Sequence, residues 1–121
     1  MIGSRITALR NALRGLFETL MHETHGRIEF VFATAAIGIG VWLEIALWEW
    51  IAVVFAIATV VASECLNTGL EHLADRVTKE EDTLVRKAKD AAAAGVFVAV
   101  LGASAVGGLI FLPKLWALVI G

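Results

Sequence analysis

Residues 50–75 read WIAVVFAIATVVASECLNTGLEHLAD. The first 14, Trp50 to Ser63, are almost wholly apolar; the next 12 are not. Glu64, Asn67, Glu71 and Asp75 follow one another at spacings of three, four and four. At about 100° per residue these four fall within an arc of roughly 80° on one helix face. Three carboxylates and an amide in one line, starting where a hydrophobic helix ends, are not routine packing. Ionisable groups at membrane depth are costly and mark a functional site by default. The stretch therefore predicts a membrane helix that carries a functional polar face.

Composition agrees. Hydrophobic residues make up 59% of the 121-residue chain, against about 45–50% in soluble domains. Mean hydropathy is +0.80. Length suits one domain. These values describe a small integral membrane protein, and the helical spacing of its segments makes the expected fold all-α. The net charge of −2 argues against nucleic acid as a partner. One cysteine, Cys65, excludes an intrachain disulfide and a cysteine-rich metal site, and reads as a small apolar filler. The charged N-terminal stretch has no signal-peptide pattern.

Outward from the stripe, the chain divides into four segments. Residues 5–25 are amphipathic: Ile6, Leu9, Leu13, Leu16, Phe17 and Leu20 recur at helical spacing between Arg5, Arg10 and Arg14. Such a helix lies in the membrane interface with its arginines toward anionic head groups. Three transmembrane helices are expected at 28–47, 50–77 and 91–112, the second with a polar end. The third alone has the roughly 20 apolar residues a bilayer span needs. The second spans only if the Glu64 turn is still inside the membrane or buried against partners. Ala99, Ala103 and Gly107 give the third a small-residue face for close helix approach. Three thin helices do not enclose a polar site alone, so a homo-oligomer with shared active sites is expected.

Basic residues set the orientation. Arg5, Arg10 and Arg14 precede the first span, and Arg76, Lys79, Arg86, Lys87 and Lys89 follow the second. These ends are expected on the cytoplasmic side, with the Glu44–Glu49 turn outside and both its glutamates exposed. Lys114 is a minor exception on the outer side. Trp42, Trp48, Trp50 and Trp116 cluster at the outer ends as an aromatic belt.

Glu23, Glu29, Glu64, Glu71, Asp75 and Asp90 thus lie near the cytoplasmic membrane surface. Hard divalent cations prefer carboxylate oxygens and keep waters or phosphate oxygens as further ligands. Two glutamates plus a nucleotide make such a site. Lys89, beside Asp90, offers a point charge for phosphate. A carboxylate at the lipid interface can take a proton from a lipid hydroxyl. These parts suit phosphoryl transfer, where catalysis is mostly positioning and charge neutralisation. The chain has no G-x-x-x-x-G-K-[ST] loop and no soluble-kinase motifs. Its HETH at 22–25 is not H-E-x-x-H. His72 stands beside Glu71 but off the stripe, and reads as solvated or packed.

The segment from Glu64 through Asn67 and Glu71 to Asp75, with AKDAAA at 88–93, resembles the E-x-x-N-[ST]-x-x-E-x-x-x-D … A-K-D signature of the prokaryotic diacylglycerol kinase family. Close relatives within that family phosphorylate undecaprenol. Gly15-Leu16 and the spacing of Glu23, Arg27 and Glu29 also resemble its N-terminal pattern, so the likeness covers nearly the whole chain. The tail GLIFLPKL at 108–115 resembles the undecaprenol kinase branch. The resemblance implies a homotrimer, an N-terminal surface helix, three transmembrane helices per chain, ATP and Mg²⁺. It implies Glu64 as general base on the lipid hydroxyl, and Glu23 and Glu71 as metal ligands that also meet the nucleotide. It further implies Lys89 and Asp90 at the nucleotide, and Arg27, Glu29 and Asn67 near the lipid or in positioning roles. Asp82 stands where the family often has a histidine, so the contact of that loop with ATP is not carried over.

The reading is an ATP- and Mg²⁺-dependent lipid kinase of the bacterial inner membrane, its site on the cytoplasmic side. Undecaprenol is favoured as acceptor and diacylglycerol comes next. The alternative is a non-catalytic oligomer: a cation transporter or channel, or an anchoring subunit. A cation path has no need of Lys89-Asp90 and a basic loop at its mouth. Asp75 has a second reading as a helix-end ion pair with Arg76.

Overall fold

The computed structural model describes all 121 residues as four helices and no strand: α1 (Ile2–His22), α2 (Thr24–Trp42), α3 (Leu47–Val77) and α4 (Thr83–Ile120). Two of them, α3 and α4, are long and apolar enough to cross a membrane. The 19-residue α2 is as long as a short span, about 29 Å, but carries Arg27 and Glu29 in its first two turns. Only ten residues are buried. Ile6, Leu9, Leu13 and Phe17 on α1, and Phe55, Phe97 and Leu109 on the long helices, are open. The apolar periodicity of this chain is not satisfied by its own core.

The longest contact runs between α3 and α4, an antiparallel pair fastened at both ends. Lys89 Nζ lies 2.7 Å from Asp75 Oδ1 at one end, and Lys114 Nζ lies 3.2 Å from Glu49 Oε1 at the other. Both pairs share one register, which brings Glu64 level with Ala99 and Val100. By helical rise the two fastenings are about 39 Å apart, close to the full thickness of a bilayer with its head groups.

The Glu49 pairing corrects the expectation that this glutamate is exposed: it is 5% exposed. The first turn of a helix has amide N–H groups with no partner inside it. Glu49, three residues into α3's start, accepts from the Ala46 N–H at 2.9 Å while also meeting Lys114. Glu44 is exposed, as the sequence reading has it. Beneath Glu49, a small cluster of Ile45, Val53 and Ile110 joins α3 and α4 to the turn after α2.

That turn ends α2 as a Schellman motif: Ile45 N–H donates to Gly40 O and Glu44 N–H to Val41 O, both at 3.2 Å. The motif puts a residue in the left-handed region, where glycine is usual. Here Glu44 takes it, with φ of 51°. Glu44→Gly is expected to raise stability by roughly 0.5–1 kcal/mol. Relief of the left-handed cost exceeds the added freedom of the unfolded chain. A thermal melt in micelles reads this as a higher Tm. Gly40 serves the same turn through space, since a Cβ there would sit 2.8 Å from the Trp50 ring and 3.1 Å from Ile45 Cδ1.

At the far end, Asp82 caps α4, its Oδ1 accepting from Leu84 and Val85 N–H at 3.0 Å each. Such a cap contributes about 1 kcal/mol. α4 then runs past the apolar stretch on both sides and through Pro113, whose missing N–H leaves one helical bond unmade. At 38 residues it is about 57 Å long, so its ends project well beyond a hydrocarbon core of about 30 Å.

Between α1 and α2 a single residue, Glu23, leaves the helical region, with φ −90° and ψ 136°. The chain turns there so sharply that Gly26 lies against the last turn of α1. A Cβ on Gly26 would overlap the Thr19 carbonyl. Thr19 is itself buried, its hydroxyl donating to Gly15 O at 2.8 Å.

Candidate active site

The stripe on α3 is continuous helix from Glu64 to Asp75, so its members keep one face. Glu64 is 3% exposed, and its Oε1 has no hydrogen-bond partner in the chain. Asn67 Oδ1 is likewise buried and unpartnered. Buried polar atoms are nearly always satisfied, so two orphans on neighbouring turns call for a partner outside the chain. Glu71, one turn further toward the helix end, is exposed and takes part in none of the four ion pairs. Glu23, Glu29, Glu71 and His25 are the charged or titratable groups within electrostatic reach of Glu64.

Glu23 comes to α3 from the α1–α2 elbow, and its Oε1 lies 3.6 Å from His72 Nε2. His72 is 70% exposed at its side chain. The sequence reading left it off the stripe and without a role. It belongs to a second polar line on α3, Cys65, Thr68 and His72, rotated by about 80–100° from the first. That line and α1 enclose a cleft of about 500 Å³, to which Glu18, His22 and Glu23 also contribute. Their regular spacing was the signal available in the sequence.

Asp75 does not pair with Arg76. It holds Lys89 across the helix hairpin, which fixes the ammonium at the end of the stripe. Glu71 is also within electrostatic reach of Lys89. Asp90, the next residue, points elsewhere and meets Arg86 at 3.5 Å, an exposed i,i+4 pair. Lys89 and Asp90 are thus adjacent in sequence but engage different partners. Beside them a polar cleft of about 650 Å³ lies under the α3–α4 loop, with Thr78, Lys79, Arg86 and Lys89 in its walls. Asp82 lines it too, although both amides it accepts belong to the α4 cap. Arg27 is exposed in the first turn of α2.

On the membrane side, α2, α3 and α4 form an apolar groove of about 670 Å³. Phe32, Val60, Val61, Ala103, Gly107 and Phe111 are among its walls, and half-buried Glu29 is its one charged residue. Val60 and Val61 precede Glu64 by one turn. The small residues of α4, Ala103 and Gly107, deepen the groove. A hydrophobic channel, a buried carboxyl with a free oxygen and a cation held at 2.7 Å therefore follow one another along α3.

No three His, Cys, Asp or Glu side chains converge on one point in the chain. Glu23, facing the second polar line, and Glu71, on the first, are two accessible carboxylates at the same end of α3. This is a donor set that fits a hard cation, which completes its shell with water and phosphate oxygens.

Comparison with known proteins gives these parts a lineage. Residues 10–111 match the sequence pattern of the prokaryotic diacylglycerol kinase family. The chain is 36% identical to the undecaprenol kinase of Bacillus subtilis over 105 residues, which cover 87% of this chain and 85% of that protein. It is 32% identical to the diacylglycerol kinase of Haemophilus influenzae over 107 residues, covering 88% and 91%. The diacylglycerol kinase of Escherichia coli is 29% identical over 96 residues, 79% of each chain. The chain belongs to the prokaryotic diacylglycerol kinase family of lipid-kinase phosphotransferases.

Proposed function

We propose that the protein transfers the γ-phosphate of ATP to the hydroxyl of a membrane lipid alcohol. The observation that carries this is the free, buried oxygen of Glu64 one turn beyond the apolar groove. A lipid tail lying in the groove brings its hydroxyl to that oxygen. Glu64 takes the hydroxyl proton as the lipid oxygen forms its bond to the γ-phosphorus and the bond to the β-phosphate oxygen breaks, releasing ADP. Asn67, on the next turn, positions the hydroxyl. Lys89, held by Asp75, faces the phosphates as a point charge; Asp90, Arg27 and Glu29 line the approaches for nucleotide and lipid. Glu23 and Glu71 would hold Mg²⁺, which when bound neutralises charge on the transferring phosphoryl group.

Undecaprenol is the favoured acceptor and diacylglycerol the second. One groove per chain suits a single polyprenyl tail, and the 36% identity is to an undecaprenol kinase. The unsatisfied polar atoms and the large open apolar surface support a homotrimer with three membrane helices per chain, α2 included, and α1 on the membrane surface. Arginines on α1 and the basic α3–α4 loop support an inner-membrane protein with its site toward the cytoplasm. The test is the purified protein in micelles with Mg·ATP, offered undecaprenol and diacylglycerol side by side. Undecaprenol is expected to be phosphorylated faster. The reverse order overturns the acceptor preference, and no product from either overturns the kinase reading.

A further inference from the structure

The groove formed by α2, α3 and α4 is apolar apart from two side chains, Glu29 and Ser104. A hydroxyl within an apolar helix turns back on its own backbone, because an unpaired one is costly away from water. Thr34, Thr59 and Ser63 do so, donating to the carbonyls of Phe30, Phe55 and Val60 at 2.7–2.8 Å. Ser104 does not: its hydroxyl makes no hydrogen bond within the chain and opens on the groove. Its depth is set by the register of the α3–α4 hairpin. With Glu64 level with Ala99 and Val100, Ser104 lies about 6–7 Å further along the groove. The two side chains lean toward each other. Cα–Cβ bonds tilt toward the N-terminus of a helix, and α3 and α4 are antiparallel.

We propose that Ser104 is a specificity-determining residue, whose hydroxyl donates a hydrogen bond to an ester carbonyl of a glycerol-based acceptor in the groove. The proposal rests on the reading of the groove as the lipid site, with Glu64 at the acceptor hydroxyl. In a diacylglycerol the nearest ester carbonyl is a few bonds from that hydroxyl. Bonds of about 1.2–1.5 Å let the two oxygens stand roughly 5–6 Å apart, close to the offset of Ser104 from Glu64. A polyprenol has one oxygen only and offers Ser104 nothing. The apolar walls hold either kind of tail and separate them weakly. A donor at membrane depth that is paired by one acceptor and left unpaired by the other discriminates more sharply. Ser104 thus keeps diacylglycerol within range as second acceptor of a chain whose groove favours a polyprenyl tail.

The test offers the full chain in micelles, with Mg·ATP, three acceptors: diacylglycerol, its dialkyl ether analogue and undecaprenol. The ether analogue keeps the hydroxyl and both chains but has no carbonyl. Ratios of kcat/KM within one preparation do not depend on how much of the protein is folded. The parent is expected to favour the diester over the diether. Ser104→Ala is expected to lower that ratio by about three- to tenfold, the worth of one neutral hydrogen bond. The ratio of diester to undecaprenol falls by the same factor. A parent that treats diester and diether alike overturns the proposal. A uniform fall in all three rates leaves both ratios unmoved; it also overturns the proposal and assigns Ser104 to packing. Phosphorylated undecaprenol with no product from diacylglycerol overturns it while the kinase reading stands. No product from any acceptor overturns both.

Discussion

Glu64→Gln is expected to lower kcat by about two to four orders of magnitude while leaving the KM for lipid nearly unchanged. Glutamine keeps the size and one carbonyl oxygen of the side chain but cannot accept the hydroxyl proton at neutral pH. The lipid tail still finds its groove, because Val60, Val61, Phe32 and Gly107 are untouched. The fold holds as well: Glu64 makes no hydrogen bond through its buried oxygen, so the substitution removes no partner within the chain. Unchanged helicity and an unchanged elution position in micelles are the controls. Full turnover in Glu64→Gln would remove it as the base.

The second large effect is expected far from any reacting atom. Gly26→Ala adds one methyl group where the Thr19 carbonyl already stands. Because the clash is with backbone, α1 and α2 must open at the elbow. Overpacking of this kind costs typically 1–3 kcal/mol. The more telling loss is in activity, for the elbow residue is Glu23. A displacement of about 1 Å at a catalytic group can cost on the order of a hundredfold in rate. The measurements are Tm and kcat/KM, with Gly3→Ala as the control, since a Cβ there meets nothing within 4 Å. Equal behaviour of the two variants would show that the elbow does not govern the site.

What could be read from the sequence was what neighbouring residues share. The all-helical character, the polar face from Glu64 to Asp75 and the apolar runs are local patterns with a period near 3.6, and the structure is helical through these segments except at residues 43–46, where the first expected span turns early. What escaped was set by pairs far apart in the chain. Glu49 looks like any interfacial glutamate until Lys114, 65 positions later, is brought over it. Asp75 has Arg76 as an obvious neighbour and takes Lys89 instead, because the side chain of the next residue on a helix points elsewhere. His72 acquires a partner only when the elbow turns Glu23 toward it from 49 positions away. Glu44 gives no glycine signal for the turn it makes. In the site itself, the carboxylates and Lys89 were legible as a set, whereas the order in which they meet the groove and the clefts depended on the register of α3 against α4.

The elbow has a mechanical consequence. Twenty-one residues of α1 make an arm about 31 Å long, and one residue joins it to α2. Glu23 stands at the fulcrum of that lever, not along its arm. If α1 lies on the membrane as proposed, undulations of the bilayer surface would move Ile2 and Ile6 most and the carboxylate at the pivot least. On that proposed reading, a helix pivoting there would follow the membrane while the groups it delivers keep their distance from α3. The only device required at the pivot is a glycine small enough to let the two helices touch.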